Sequence, residues 1–283
     1  MSPVIAAEKL RSLNLRVGFS QTRPICTIMN ELKALIFDVD GTLADNEQDG
    51  HRIAFNLAFA DAGLDWSWDR NTYEDLLETF GGKERIHRYM EDFQPGLDPP
   101  AGRDRFVREL HQQKTLRYQE LLNSGAIPLR PGVARLLKEA RASGLGLAVA
   151  STTTAVNVTT LLSKTLGEQS ISWFEVIACG DVVARKKPAP DIFLYALEEL
   201  GLAASECLAV EDSESGLASA LAAGLTTVVT VNESTRKQNF TGAAIVLDQL
   251  GEPDNGFRVL AGDAGGATLV DVNFLKLIHH RAR

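Results

Sequence analysis

Cysteine is scarce in the 283-residue chain, and the three present, Cys26, Cys179 and Cys207, are far apart. A scattered, odd set without a CxxC pair excludes a disulfide scaffold and a thiolate zinc site, and fits a reducing compartment. No apolar run approaches the roughly 20 residues that a membrane-spanning helix needs, so no membrane partner is expected. Basic charge is also in short supply: 29 Lys and Arg stand against 37 Asp and Glu, a formal net charge of −8. That balance argues against a nucleic-acid partner, because such proteins carry a basic face. An anionic substrate must then be held by a few placed cations or a metal, not by the overall field. What is there is ordinary for a soluble globular protein, with 45% hydrophobic and 23% charged residues. The length allows one large domain or two smaller ones.

Residues 1–29 differ from the rest. Lys9, Arg11, Arg16 and Arg23 face a single acid, Glu8, and no apolar stretch marks a secretory signal. Two readings stand: a basic organelle leader, which would place the protein in the chloroplast, or a disordered extension ahead of Met29. The second, with a cytoplasmic location, is favoured because the segment is short and poor in Ser.

The fold signal begins with the continuous apolar run Ala34–Phe37. Similar runs follow at Leu145–Ala150, Cys207–Val210 and Thr226–Val231. Short runs of this kind suit strands buried on both faces. Helical patterns at Val133–Ala142, Asp191–Leu200 and Gly216–Ala223 precede the later strands. The alternation predicts an α/β fold with a doubly wound parallel sheet, whose ligands bind outside the carboxyl ends of the strands. Residues 47–126 instead carry only helical patterns (His51–Ala62, Tyr73–Thr79, Lys83–Asp92 and Arg103–Leu122) and read as a helical insertion. The core is then 30–46 plus 127–250. Residues 251–283 form a tail with no assigned role.

Three of the strands end in polar residues. Asp38 and Asp40 follow the first; at positions i and i+2 they face one side, with Val39 turned away. One ionised carboxylate can act as a nucleophile, and its neighbour, if its pKa is raised, can protonate a leaving alcohol. Glu211-Asp212 ends another strand. Four acids at one edge repel each other unless a cation joins them, so the cluster predicts a metal, and oxygen donors favour Mg²⁺. The stretch Asp45–Gly50 imitates a calcium loop, but position 12 is Asn56 instead of the bidentate Glu. Ser151, with Thr152 beside it, can hold phosphate oxygens at a third strand end. Lys187, stiffened by Pro188 and Pro190, can neutralise charge on a transferring phosphoryl group.

Asp38-Val39-Asp40-Gly41-Thr42, Ser151, Lys187-Pro188 and Glu211-Asp212, each at a strand end and in that order, resemble the haloacid dehalogenase superfamily of phosphohydrolases. The resemblance implies Asp38 as nucleophile and Asp40 as general acid/base, with Ser151, Thr152 and Lys187 holding phosphate. It further implies Mg²⁺ on Asp38, the Asp40 carbonyl and Asp212, with Glu211 behind them or reaching the metal through water. The insertion resembles the small helical cap of the β-phosphoglucomutase-like branch.

Selectivity then falls to the cap, whose 15 acids outnumber its 10 bases, so its cations must act locally. Gly81-Gly82-Lys83-Glu84-Arg85 is the sharpest feature, with glycines that let backbone N–H groups approach an anion and two cations beside them. Lys114 and Arg117, neighbours on one helix, are a second pair. A cap able to hold a second phosphate points to a bisphosphate. Glu47–Arg52, Gly81–Ile86 and Lys187–Asp191 resemble the CbbY-type phosphatases, which remove the 1-phosphate of xylulose 1,5-bisphosphate, a by-product that inhibits Rubisco. By that resemblance Glu47, His51, Tyr73, Gly82, Lys83 and Arg85 contact a sugar bisphosphate. A phosphomutase of the β-phosphoglucomutase type, a phosphoglycolate or general sugar-phosphate phosphatase, and a non-catalytic binding protein are the alternatives. A monomer is expected.

Overall fold

The computed structural model describes residues 31–79, 81–96, 99 and 102–282. The leader readings for 1–29, and Cys26, lie outside them.

Among the described residues, seven strands form one sheet in the order β3-β2-β1-β4-β5-β6-β7. Within it β1 (Ala34–Phe37) is flanked by β2 (Gly146–Ser151) and β4 (Cys207–Glu211). Beyond them lie β3 (Val176–Cys179) on one side, and β5 (Thr226–Thr230) and β6 (Ile245–Leu247) on the other. All of these pair in parallel. The central strands are apolar throughout because both faces are covered. Leu35, Phe37, Leu147, Val149, Leu208 and Val210 point into one hydrophobic layer, and Ala34, Ile36, Ala148, Ala150 and Ala209 into the other. The first layer is closed by α5 (Val133–Ala142) and α6 (Ala155–Leu166), the second by α7 (Asp191–Leu200) and α8 (Glu214–Ala222). The small alanines of the second face let α7 and α8 sit close to the sheet.

Two features depart from the expected parallel core. The edge strand β7 (Val259–Ala261) runs antiparallel to β6, and α9 (Val272–Arg281) seats Phe274, Leu275 and Ile278 in the larger core layer. Residues 251–282 are therefore built into the sheet and its core. Their strand is only three residues long and exposed, so its apolar run Val259–Ala261 is too short to mark a strand by itself.

Between β1 and β2 the chain is helical. A π-helical turn (Asn46–His51) leads into α1 (Arg52–Asp61), followed by α2 (Arg70–Leu77), α3 (Gly82–Phe93) and α4 (Arg103–Ser124). The calcium-loop mimic is thus a helical turn capped by Asp45, whose side chain accepts from the Gln48 N–H. These helices enclose their own aromatic core: Phe55 and Phe59 pack on Trp68 with ring centroids 4.6 and 4.9 Å apart, and Trp66, Tyr73 and Tyr89 complete it. The chain passes between insertion and sheet at two adjoining crossings, where Ala44 pairs with Leu129.

Candidate active site

The parallel register aligns the strand ends. Phe37 lies opposite Val149 and Val210, which brings Asp38, Ser151 and Glu211 to one edge. Lys187, from the loop ahead of α7, reaches back to that edge. Its ammonium donates to Asp38 Oδ1 at 2.7 Å and to Glu211 Oε1 at 2.5 Å, over the face of Phe193. Burial opposes the ammonium charge, but the Asp38 and Glu211 carboxylates outweigh it and hold the Lys187 pKa above its ordinary value. The other oxygen of Glu211 accepts from the Asp212 N–H at 3.1 Å and the Ser213 hydroxyl at 3.4 Å. Glu211 is therefore satisfied within the protein.

Asp212 is held differently. Asn232 Nδ2 donates to its Oδ2 at 2.7 Å and the Thr42 hydroxyl to its Oδ1 at 3.4 Å. Gly41 has φ +90°, and a Cβ there would stand 2.2 Å from Asp212 Oδ2, so this turn requires glycine on both counts. Carboxylate oxygens of Asp38, Glu211 and Asp212 lie within 4.8 Å of one another, and all three residues are buried. Burial, and then the charges of Asp38 and Glu211, push the Asp212 carboxyl well above the usual range. Three buried carboxylates against one ammonium leave negative charge for a cation to neutralise, and an all-oxygen donor set suits a hard divalent ion. Asp38, Glu211 and Asp212 could each offer a carboxylate oxygen to such an ion, with Glu211 the most fully engaged by protein donors.

Asp40 stands apart from that group. Its Oδ1 accepts from Asn46 Nδ2, a side chain 2% exposed at the start of the helical insertion. Desolvation, and then the charge of Asp38, push its carboxyl up to about 7. A carboxyl that titrates near neutrality can both donate and accept a proton. Its carboxylate is not among those that converge on the metal position; the backbone carbonyl is the atom the sequence reading assigned there.

The insertion contributes a second charged group. The Tyr73 hydroxyl donates to Glu47 Oε2 at 2.6 Å, Arg85 Nη1 donates to the Tyr73 oxygen at 3.3 Å, and Arg85 lies 3.7 Å from Glu47. Burial alone would raise Glu47, but the surrounding cations and the Tyr73 hydroxyl bring it below its ordinary value. Lys114 Nζ lies 2.9 Å from His51 Nδ1 and packs over the rings of Phe55 and Tyr118. Burial pushes Lys114 down to about 8, and burial followed by Lys114 pushes His51 down to about 3. The imidazole is thus neutral, which assigns Nδ1 as acceptor and the proton to Nε2. The charges of Glu47 and Lys187 both act on Asp40, and Lys114 feels Asp40, so the two groups meet there.

Residues 32–224 match the family model of the haloacid dehalogenase-like hydrolases. The chain is a haloacid dehalogenase-like hydrolase. It is 53% identical to Protein CbbY of Rhodobacter capsulatus over 213 residues, 75% of this chain and 91% of that one. It is 48% identical to the plasmid-borne CbbY of Cupriavidus necator, over 78% of this chain and 87% of the other. A crystal structure of a CbbY variant from Rhodobacter sphaeroides in complex with xylulose-(1,5)bisphosphate superposes with a TM-score of 0.63 at 45% identity, covering 77% of this chain and 94% of that one. The protein is an enzyme, a phosphatase of this hydrolase family.

In this hydrolase the structure gathers Asp38, Lys187, Glu211 and Asp212 in one cluster. Ser151 is buried beside it, its hydroxyl accepting from the Thr153 N–H at 3.4 Å. Glu47, His51, Tyr73 and Arg85 share the second group. Thr152 and Lys83 are exposed and stand outside both. Gly82 lies against His111, whose Nε2 would be 2.6 Å from an added Cβ. Of the pair Lys114 and Arg117, only Lys114 points inward; Arg117 is forked onto Asp61 at 2.6 and 2.7 Å on the solvent side. The sequence carried a signal for Lys114: it is a lysine on the buried stripe Val107, Leu110, Tyr118 and Leu122 of α4. Asn46 and Asn232 carried none, since each is polar in a loop or turn and gains its partner only in three dimensions.

Proposed function

We propose that the protein is a Mg²⁺-dependent sugar-phosphate phosphatase that converts xylulose 1,5-bisphosphate to xylulose 5-phosphate and inorganic phosphate. The observation that carries this reading is the pairing of two unlike carboxyls. The Lys187 ammonium donates to Asp38 Oδ1 at 2.7 Å, and the Asp40 carboxyl, two residues on, is pushed up to about 7. Asp38 attacks the 1-phosphorus and forms an aspartyl-phosphate as the bond to the sugar oxygen breaks. Asp40 gives its proton to that oxygen, then takes one from the water that hydrolyses the acyl-phosphate, and so returns to its starting state. Lys187 balances charge on the equatorial oxygens. Bound Mg²⁺, held by Asp38, Asp212 and the Asp40 carbonyl, would neutralise developing phosphoryl charge.

The substrate class follows from the helical insertion acting as a cap. Arg85 and Lys114 supply cations for the second phosphate, and Glu47 and Tyr73 suit sugar hydroxyls. Among the described residues the buried Asn46 Oδ1 and the Tyr118 hydroxyl have no hydrogen-bond partner, which leaves them able to meet a polar ligand. The relative crystallised with xylulose-(1,5)bisphosphate supports the same choice. By this reading the enzyme removes a Rubisco inhibitor. The test is phosphate release across xylulose 1,5-bisphosphate, ribulose 1,5-bisphosphate, phosphoglycolate and β-glucose 1-phosphate. Fastest turnover of the first with rejection of the second is expected. Conversion of β-glucose 1-phosphate to glucose 6-phosphate without phosphate release would instead establish a mutase.

A further inference from the structure

Arg130 follows the second crossing between insertion and sheet. Its N–H donates to Leu43 O at 2.8 Å, beside the Leu129–Ala44 pair. Its guanidinium spreads over four backbone carbonyls. Nη1 donates to Gly41 O and to Thr230 O at 2.8 Å, and Nη2 donates to Val231 O at 2.6 Å and Asp248 O at 2.9 Å. The Thr230 hydroxyl accepts at 3.1 Å as well. These carbonyls lie at the carboxyl ends of β5 and β6 and in the turn after Asp40, where the ladder has stopped and backbone oxygens need donors. The planar guanidinium offers N–H groups along two edges at once, whereas an ammonium is a single point and cannot span this set.

The path from Arg130 to the acidic cluster is short. The Gly41 carbonyl that Arg130 grips also accepts from Asn232 Nδ2 at 3.4 Å, and the same nitrogen donates to Asp212 Oδ2 at 2.7 Å. Asn232 immediately follows Val231, a second carbonyl under the guanidinium. Gly41 itself packs against Asp212 so closely that a methyl group would collide. Both groups that fix Oδ2 of Asp212 are therefore placed by one arginine. We propose that Arg130 is a positioning residue for Asp212: it locks the Gly41 carbonyl and the 230–232 turn so that Asn232 presents the Asp212 carboxylate to a metal. The inference rests on the reading of Asp38 and Asp212 as Mg²⁺ ligands.

The test is Mg²⁺ titration of metal-free protein by calorimetry, repeated with Mn²⁺ by electron paramagnetic resonance, on wild type, Arg130→Lys, Asn232→Ala, the double variant and Asp212→Asn. Loss of a partner that orients a ligand typically weakens metal binding about 10–100-fold, and about tenfold is expected for each single variant. Because the two act through one carboxylate, the double variant should bind little worse than either single one. A purely structural arginine would lower the melting temperature and leave metal affinity unchanged, and that result overturns the proposal. Should Arg130→Lys fail to fold, unchanged affinity in Asn232→Ala overturns it equally. If Asp212→Asn binds Mg²⁺ like wild type, the ligand assignment itself fails, and the proposal with it. Normal Asp212 dependence with insensitive Arg130 and Asn232 variants refutes the positioning role alone.

Discussion

Replacing Lys187 by Met would leave two buried carboxylates without their shared cation. The Lys187 side chain is 7% exposed, that of Asp38 9% and that of Glu211 0%, so water cannot take over the role. Removing one member of a buried ion pair costs about 3–5 kcal/mol. The lower end applies here, because Glu211 keeps the Asp212 N–H and the Ser213 hydroxyl, and methionine preserves the packing on Phe193. At about 2–4 °C per kcal/mol for a chain of this size, melting should fall by about 6–12 °C. The loss should depend on pH. The Lys187 pKa is raised, so its contribution is complete at any pH below the unfolded lysine value and is constant between pH 5 and 8 in the wild type. In the variant the two carboxylates keep their burial and lose their shared cation, and burial already raises Glu211 against the pull of Lys187. Their penalty is full well above the ordinary carboxylate range and shrinks as pH falls toward it. Melting curves in EDTA at pH 8 and pH 5 should therefore show a wide gap narrowing to a small one, with Mg²⁺ restoring part of the loss at pH 8. Equal melting at pH 8 in EDTA, or a gap independent of pH, would refute the claim that this lysine neutralises the cluster.

Asp38→Asn should reduce phosphate release to background while circular dichroism stays unchanged; substantial turnover would exclude Asp38 as the nucleophile. With Asp40 titrating near 7, kcat/KM should fall about tenfold per pH unit above that value, because the leaving oxygen loses its proton donor. Asp40→Asn should remove this limb and lower kcat by about 10²–10⁴-fold, as read from pH–rate profiles. Arg85→Ala should raise KM for the bisphosphate far more than for phosphoglycolate; equal losses on both would sink the second-phosphate role of the insertion.

Much of the catalytic edge was legible because it is assembled from strand ends. A buried central strand needs an apolar run, and the first polar residues after it must emerge at the sheet edge. That rule alone placed Asp38, Ser151 and Glu211, and the parallel register aligned them. The second group was harder to read. Lys83 and Arg85 read as an equal pair beside the glycines, yet Lys83 lies on the exposed side of α3 while Arg85 turns inward onto Tyr73 and Glu47. Helix phase decides this, and phase is set by the aromatic core of the insertion and not by the motif. Lys114 overrode its charge preference because the hydrophobic stripe of α4 carries it inside, where His51 and two aromatic faces receive it.

The sequence by itself determined the layered α/β plan, the helical insertion after the first strand and the acids at the strand ends, because each is written in local periodicity or in residues adjacent along the chain. Only the tertiary structure decided which carboxylates face one another, how high the Asp40 pKa rises, which insertion cations point inward, and that residues 251–282 close the sheet. It alone brought Arg130, Gly41, Asn232 and Asp212 together, residues drawn from four separate stretches of chain. Such contacts depend on distances between segments far apart in sequence, and no short-range pattern encodes those distances.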